Sequence, residues 1–144
     1  MTGPSKSSNW NTAILYVYVS LGSVLGGVAR YLVSLLLPAL SGFPLPILFV
    51  NVTGSFIIGF YGTLSGPDGR VFASTRQRQR QFVMTGFCGG YTTFSAFSLD
   101  TFRLLHGGMK YIALLNIAVS VVTWLVAVWL GHLLANRLNR LKGS

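Results

Sequence analysis

The stretch that decides the fold is Gly86-Phe87-Cys88-Gly89-Gly90-Tyr91-Thr92-Thr93-Phe94-Ser95-Ala96-Phe97-Ser98, which lies inside a long apolar run. In hydrocarbon, a backbone that loses its helical hydrogen bonds is tolerated only where it lines a cavity or is packed in protein. We therefore predict a broken transmembrane helix. Its first half is expected to end at Gly89-Gly90 and its second to begin near Thr92-Thr93. The spacing alone leaves a second interpretation open, in which Gly89-Gly90 is only a close-packing patch between helices.

A break of this kind places two opposite partial charges close together. The first half presents a carbonyl end, and the second half presents backbone N–H groups. Such a junction can hold a cation on carbonyls and an anion on donors.

The composition around this stretch is that of a membrane protein. Of the 144 residues, 51% are hydrophobic and 9% are charged, and the mean hydropathy is +0.60. At roughly 20 residues per span, there is room for about four spanning helices in one domain. The predicted fold class is therefore an all-α membrane protein with four transmembrane helices, of which the third is broken.

The boundaries of the runs follow from apolar length and from helix breakers. Pro38 stops the first run, Pro46 suits the first turn of the second, and Gly107-Gly108 ends the third as a C-cap would. The predicted transmembrane domain covers residues 12–136, with helices at about 12–37, 46–64, 82–106 and 109–135. Residues 1–11 are predicted to be a flexible N-terminal tail, and residues 137–144 a basic C-terminal tail.

Charge predicts the orientation of the chain. The net charge is +9, but most basic residues flank apolar runs, which favours membrane anchoring over nucleic-acid binding. With four spans, one side of the membrane carries both termini and the polar connection 65–81. The basic residues of that side are Lys6, Arg70, Arg76, Arg78, Arg80, Arg137, Arg140 and Lys142, against Arg30, Arg103 and Lys110 on the other. The positive-inside rule then places both termini in the cytoplasm.

Polar residues inside the runs are the candidate site. Asn51 and Ser55 share one face of the second helix, and Asn116, Ser120 and Thr123 form a stripe on the fourth. Such residues either join helices by hydrogen bonds or line a pathway with donors. Asp100 is the one carboxylate within the runs, which disfavours proton relays and cation carriers. A small anion that needs several donors fits better.

Two phenylalanines follow the break at a spacing of three, so Phe94 and Phe97 share a helix face. Ring edges carry the positive part of the aromatic quadrupole and could stabilise an anion without trapping it. Core packing is the alternative. Asp100 and Arg103 are predicted to form a local ion pair, and Arg30 either snorkels to the interface or has a functional role. The lone Cys88 has no nearby His, so an enzyme is disfavoured.

These motifs resemble those of the Fluc (CrcB-like) family of fluoride channels. The resemblance covers about residues 14–135 and rests on the stretches Gly26-Gly27-Val28-Ala29-Arg30-Tyr31, Val50-Asn51-Val52-Thr53-Gly54-Ser55-Phe56 and Gly86 to Ser95. It implies an antiparallel, dual-topology dimer with two fluoride pores in the cell inner (plasma) membrane. It also implies passive export of fluoride, which protects the cell against fluoride toxicity.

The resemblance also implies roles for single residues. Phe94 and Phe97 match the pore aromatics and Asn51 the pore amide. The carbonyls of Gly89 and Thr92 match the ligands of a structural sodium ion at the dimer centre. The remaining expected pore residues are Arg30 near the vestibule and Ser120 and Thr123 along the fourth helix.

Two departures and two alternatives accompany this interpretation. Asn116 stands where a tyrosine is expected, and the eight-to-three basic bias allows a heterodimer with an oppositely inserted paralogue, although a homodimer is expected. The main alternative function is a small four-helix multidrug or cation exporter, which would need a carboxylate in an early helix where this chain has Arg30. In the other alternative, a structural membrane subunit, the glycines and phenylalanines act only in packing. Close helix approach is expected at Gly22, Gly26 and Gly59.

Overall fold

The structure is a computed structural model that describes residues 6–39, 42–66 and 77–141. Within these ranges the chain is helical and contains no β-strand, which confirms the all-α class. The elements are α1 (Lys6–Leu36), α2 (Leu45–Leu64), α3 (Gln77–Gln81), a π-helical stretch (Phe82–Cys88), α4 (Gly89–Tyr91), α5 (Phe94–His106) and α6 (Lys110–Leu141).

Three of these helices are long and apolar enough to cross a membrane: Thr12–Leu36 within α1, Leu45–Leu64 and Lys110–Leu141. The chain is therefore an integral membrane protein. Residues 77–106, which we call the third segment, do not form one such helix, because Thr92 and Thr93 are extended, with ψ of 158° and 125°. The helical turns end at Tyr91 and resume at Phe94, slightly later than the sequence predicted.

The outer helices are longer than hydropathy indicated. α1 begins at Lys6, so residues 6–11 are helical where a flexible tail was predicted, and α6 continues to Leu141 through most of the predicted C-terminal tail. Hydropathy marks where the membrane ends, whereas a helix ends where its residues stop favouring helical backbone, and neither extension contains Pro or Gly. Residues 1–5 and 142–144 of the two predicted tails lie outside the described residues.

The connections also differ from prediction in part. Residues 77–81 were assigned to the polar connection but form α3. The predicted turn at Pro67, Asp68 and Gly69, together with Arg70 and Arg76, lies outside the described residues. Pro46 occupies the first turn of α2 as expected. Gly108, at φ 77°, provides the left-handed position of the short turn between α5 and α6.

The described helices pack as two pairs. In the first pair, α1 contacts the third segment from Phe82 to Tyr91, where glycines of the two elements meet. A Cβ atom on Gly22 would lie 2.9 Å from the Cα of Gly86, and one on Gly26 would overlap the carbonyl oxygen of Phe87. These distances leave no room for side chains, so the two backbones are in direct contact.

In the second pair, α2 lies along α6. A Cβ atom on Gly59 would overlap the carbonyl oxygen of Val128, and one on Gly131 would lie 2.8 Å from the backbone nitrogen of Phe60. The close approach predicted at Gly22, Gly26 and Gly59 is confirmed, and all three contacts lie inside the chain.

The distribution of polarity is the reverse of that in a soluble protein. The buried side chains of α6 are small or polar: Ala113, Asn116, Ser120, Ala127 and Ala135. Its large apolar residues point outward, and Leu125 is 64% exposed. Outward apolar surface and a small, close-packed interior are what association of helices in a lipid bilayer produces.

Candidate functional site

The break in the third segment is held by one side chain of α2. Asn51, which is 5% exposed, donates from Nδ2 to the carbonyl oxygen of Thr93 at 2.9 Å. The backbone N–H of Thr93 donates to Asn51 Oδ1 at 2.8 Å. In a continuous helix this N–H would donate to the Gly89 carbonyl. The Asn51 carboxamide therefore replaces the hydrogen bonding that the backbone loses at the break.

α2 also contacts the two residues that precede Thr93. Gly54 lies against Thr92, and a Cβ atom there would overlap the threonine methyl group. Thr53 Oγ1 and the Tyr91 hydroxyl are 3.0 Å apart and hydrogen-bonded. The motif residues 51, 53 and 54 thus each contact one residue of 91–93, which explains why they occur together in the sequence.

On the other side of the break, α5 begins with a capped N-terminus. Thr93 is its N-cap, and its Oγ1 accepts from the Ala96 N–H at 3.2 Å. The first N–H groups of a helix carry partial positive charge and point out of its N-terminal end. Because α5 begins beside Asn51, this positive end faces the same region.

An open cavity of about 190 Å³ occupies this region. Its lining residues come from α2, the break, the start of α5 and α6: Asn51, Ser55, Ile58, Thr92, Thr93, Phe94 and Trp124. None of these lining residues is ionisable. The cavity is larger than the roughly 10–15 Å³ that a single buried water needs. It can hold a small hydrated ion among neutral donors and aromatic surface.

The two predicted pore aromatics differ in exposure. Their ring centroids are 5.6 Å apart, as expected for one helix face. Phe94 is 71% exposed and lines the cavity, whereas Phe97 is 7% exposed and is not among the lining residues. Phe97 packs instead against Trp124, with centroids 5.0 Å apart and planes at 73°. The structure therefore brings Phe94 to the cavity directly and Phe97 behind it.

The polar stripe of α6 is engaged in hydrogen bonds, one of which joins α6 to α5. Asn116 Nδ2 donates to Thr101 Oγ1 at 2.9 Å, and Ser120 lies 3.5 Å from Asn116 Oδ1, both residues being 1% exposed. Thr123 Oγ1 donates to the Val119 carbonyl of its own helix at 2.6 Å. Neither Ser120 nor Thr123 lines the cavity. Trp124, which was not among the predicted pore residues, does line the cavity. Its spacing of four from Ser120, which puts it on the same helix face, is the sequence signal that could have predicted this.

Arg30, on α1, also contacts the break. Its Nη1 lies 3.4 Å from the carbonyl oxygen of Thr92, to which it donates. One of the two carbonyls predicted to hold sodium is thus also within reach of a guanidinium. Gly89, the other, is exposed, and the space where a Cβ atom would stand is open.

The remaining polar groups of α5 form a local contact. Arg103 Nη1 and Asp100 Oδ1 are 3.7 Å apart, which confirms the predicted ion pair. Across residues 6–39, 42–66 and 77–141, no group of three or more His, Cys, Asp or Glu side chains is placed to hold a metal.

Comparison with known proteins identifies the family. The family described as CrcB-like protein, Camphor Resistance (CrcB), matches residues 17–132. The chain belongs to this CrcB-like family. The matched range contains every residue around the break and leaves out the two ends of the chain, including the first residues of α1 and the last residues of α6.

Individual relatives of the CrcB-like family carry a functional name. The chain is 66% identical to "Fluoride-specific ion channel FluC 1" of Bradyrhizobium diazoefficiens over 144 residues, the full length of both. It is 64% identical to the protein of the same name from Rhodopseudomonas palustris over 134 residues, covering 92% of this chain and 94% of that one. A "Fluoride-specific ion channel FluC" from Methylocella silvestris is 47% identical over 131 residues, or 90% and 98% of the two chains.

Proposed function

We propose that this chain is the subunit of a fluoride-selective channel that passively exports fluoride and so protects the cell against fluoride toxicity. The observation that carries the proposal is the 66% identity, over the whole length of both chains, to a protein named as a fluoride-specific ion channel. The cavity beside the break supports it, because neutral donors and an aromatic ring converge there.

Fluoride binds water strongly, so a pore must offer donors that replace its hydration shell. The Asn51 amide group has two N–H donors, of which one is used by Thr93, so the second is available to an ion. Ser55 contributes a hydroxyl one turn further along α2. The N-terminus of α5 adds partial positive charge without a titratable group.

Conduction also requires that the ion leave. The residues that line the cavity include no Lys or Arg, so an anion meets hydrogen-bond donors and the Phe94 ring but no full positive charge. Arg30 lies behind Thr92, where its charge raises the local anion concentration at the break without being part of the lining. Weak contacts in series favour passage over trapping.

We further propose that two chains assemble antiparallel as a dual-topology homodimer in the inner membrane, with the broken third segment at bilayer depth. The support is the extended backbone at Thr92 and Thr93, which needs protein surroundings in a membrane, and the large outward apolar surface of α1 and α6. An excess of basic residues on one predicted side leaves a heterodimer with an oppositely oriented paralogue as the alternative assembly.

A structural sodium ion at the dimer centre is part of the same proposal. The Gly89 carbonyl fits this role, because the Thr93 N–H that a continuous helix would supply is bonded to Asn51 and the surrounding space is open. Thr92 would provide the second carbonyl, shared with Arg30. Two chains would provide four carbonyl oxygens, which are suitable ligands for a hard cation. Bound sodium would neutralise the carbonyl ends of both first halves.

The multidrug or cation exporter has less support. Within the described helices, Asp100 is the one carboxylate; it is paired with Arg103 on α5 and does not line the cavity beside the break. A cation pathway would need an intramembrane acid of its own.

Ion efflux from liposomes tests the proposal. The purified protein, alone, is reconstituted into vesicles loaded with potassium fluoride or potassium chloride, and valinomycin carries the compensating potassium. We expect rapid fluoride loss with no chloride loss, which would also show that one gene product suffices. No fluoride loss from folded protein, repeated with added paralogue, would contradict the channel assignment.

A further inference from the structure

Trp124 lies on α6 at the position where the polar stripe of this helix would continue. It follows Asn116 by eight residues and Ser120 by four, so the three side chains share one helix face. Asn116 and Ser120 are buried; Asn116 donates a hydrogen bond to Thr101 on α5, and Ser120 donates one to Asn116. The indole is the member of this face that lines the cavity, together with Asn51 and Ser55 on α2.

The indole N–H of Trp124 has no hydrogen-bond partner. Among the described residues, its Nε1 is one of two buried side-chain nitrogen or oxygen atoms without one; the other is Nε of Arg80, at the polar start of the third segment. Buried polar atoms are almost always paired, and an unpaired one calls for an explanation. The indole N–H is a donor only and does not titrate, so its missing partner must be an acceptor.

The surroundings of the indole restrict what that acceptor is. The Asn51 oxygen is already bonded to the Thr93 N–H at 2.8 Å, and the ring of Phe97 packs against the indole with centroids 5.0 Å apart, which holds its orientation. The hydroxyl groups of the cavity lining can donate or accept, but none of them accepts from the indole, and the lining contains no carboxylate. An anion that reaches the indole N–H from the cavity would supply the acceptor.

We propose that the Trp124 N–H is a further fluoride-binding donor of the pore, supplied by α6 to the cavity that Asn51 also lines. The inference rests on the proposed function and extends it, because Trp124 gives α6 a donor at the cavity, which neither Ser120 nor Thr123 lines. It also makes fluoride occupancy observable, because a bond to the indole N–H changes the environment of the fluorescent ring.

Paired substitutions test the role in transport. Trp124→Phe removes the N–H and keeps an aromatic ring against Phe97, whereas Trp129→Phe makes the same change at a side chain that is 58% exposed on the outer face of α6. We expect Trp124→Phe to lower the fluoride efflux rate about tenfold, the effect of losing one hydrogen bond to a charged group. We expect Trp129→Phe to match the unmodified chain. Equal rates for all three proteins would overturn the inference and leave the channel assignment intact.

Fluorescence separates binding from packing. In the variant Trp10→Phe/Trp129→Phe, Trp124 is the remaining tryptophan, and its emission is followed in detergent while sodium fluoride or sodium chloride is added. We expect a saturable change with fluoride and none with chloride. This result stands even if Trp124→Phe fails to fold. An emission unaffected by fluoride, in a protein that still transports it, would overturn the inference. Absence of fluoride efflux from the unmodified chain, both alone and with added paralogue, would overturn both proposals.

Discussion

The two halves of the third segment are held in place by opposite means. From Phe82 to Tyr91 the segment lies on α1 through glycines, and the contact consists of backbone against backbone. From Thr92 onward it is held by side chains, above all by the two hydrogen bonds between Asn51 and Thr93. The first half depends on the absence of side-chain atoms, and the second depends on particular polar atoms.

The difference explains where a cavity can form. Backbones in direct contact exclude water and ions, so the first half is a rigid support. At the break, α2 contacts the third segment through Asn51 and Gly54. The side chains of Ser55, Phe94 and Trp124 do not fill the space beside this contact, and they line the cavity. A site of neutral donors thus lies next to a part of the chain that cannot move easily.

The largest effect is expected from breaking the glycine contact. Gly26→Ala would place a methyl group onto the Phe87 carbonyl and 2.7 Å from the Tyr91 nitrogen, where only backbone could yield. We expect a loss of about 4 kcal/mol in the free energy of unfolding. A loss of this size should leave a much smaller yield of folded protein. Thermal unfolding and size-exclusion profiles in detergent measure it.

The neighbouring residue provides the control. Gly27 has no atom within 4 Å of a built Cβ atom, and Gly27→Ala should be neutral or stabilising by up to about 1 kcal/mol through helix propensity. If Gly26→Ala and Gly27→Ala change the stability equally, close contact between α1 and the third segment is not what stabilises the fold.

The next effect is expected from Asn51→Ala, which removes the support of the break. The N–H and the carbonyl of Thr93 would both lose their partner, and we expect a total loss of about 2–4 kcal/mol together with loss of fluoride efflux. Thr63 is on the same helix as Asn51, and Thr63→Val, which removes a hydroxyl bonded to His132 on α6, should cost about 1 kcal/mol or less. Comparable melting temperatures for the two variants would count against the role of Asn51.

The phenylalanine pair sharpens the comparison by separating packing from transport. Phe97→Ile should cost about 1–2 kcal/mol because the ring is 7% exposed, whereas Phe94→Ile, at 71% exposed, should leave stability within about 0.5 kcal/mol. On the channel proposal, both should lower fluoride efflux about tenfold or more. Normal efflux from a folded Phe94→Ile protein would favour a packing role for this side chain.

The smallest effect is expected away from both regions. Asp100→Asn breaks an ion pair of 3.7 Å whose arginine side chain is 68% exposed, so the stability should change by less than about 1 kcal/mol. Arg103→Gln should have the same effect, and the double variant should equal either single one. Melting temperatures at low and high salt measure this, and a larger loss would indicate a structural role for the pair.

Much of the fold and of the candidate site could be predicted from the sequence, because the relevant signals are local. Apolar run lengths, Pro46 and Gly107-Gly108 located the spans and their turns. The spacing of Asn51 and Ser55 indicated one face, and both line the cavity.

What could not be predicted depends on which helices meet. Gly22 and Gly26 are equally suited to a partner chain or to the third segment, and only the folded chain shows that they contact Gly86 and Phe87. The stripe of Asn116, Ser120 and Thr123 lies on α6 as expected, but whether it faces a cavity or Thr101 depends on how α6 packs against α5 after the three-residue turn that joins them.

The length of α6 has a practical consequence. At 1.5 Å per residue its 32 residues span about 48 Å, against a hydrocarbon core of about 30 Å, so its basic end stands clear of the lipid. A reporter domain whose first helix continues α6 in register from Leu141 would be held rigidly rather than on a flexible tether. In electron microscopy, such a rigid projection would supply the alignment feature that so small a membrane protein otherwise lacks.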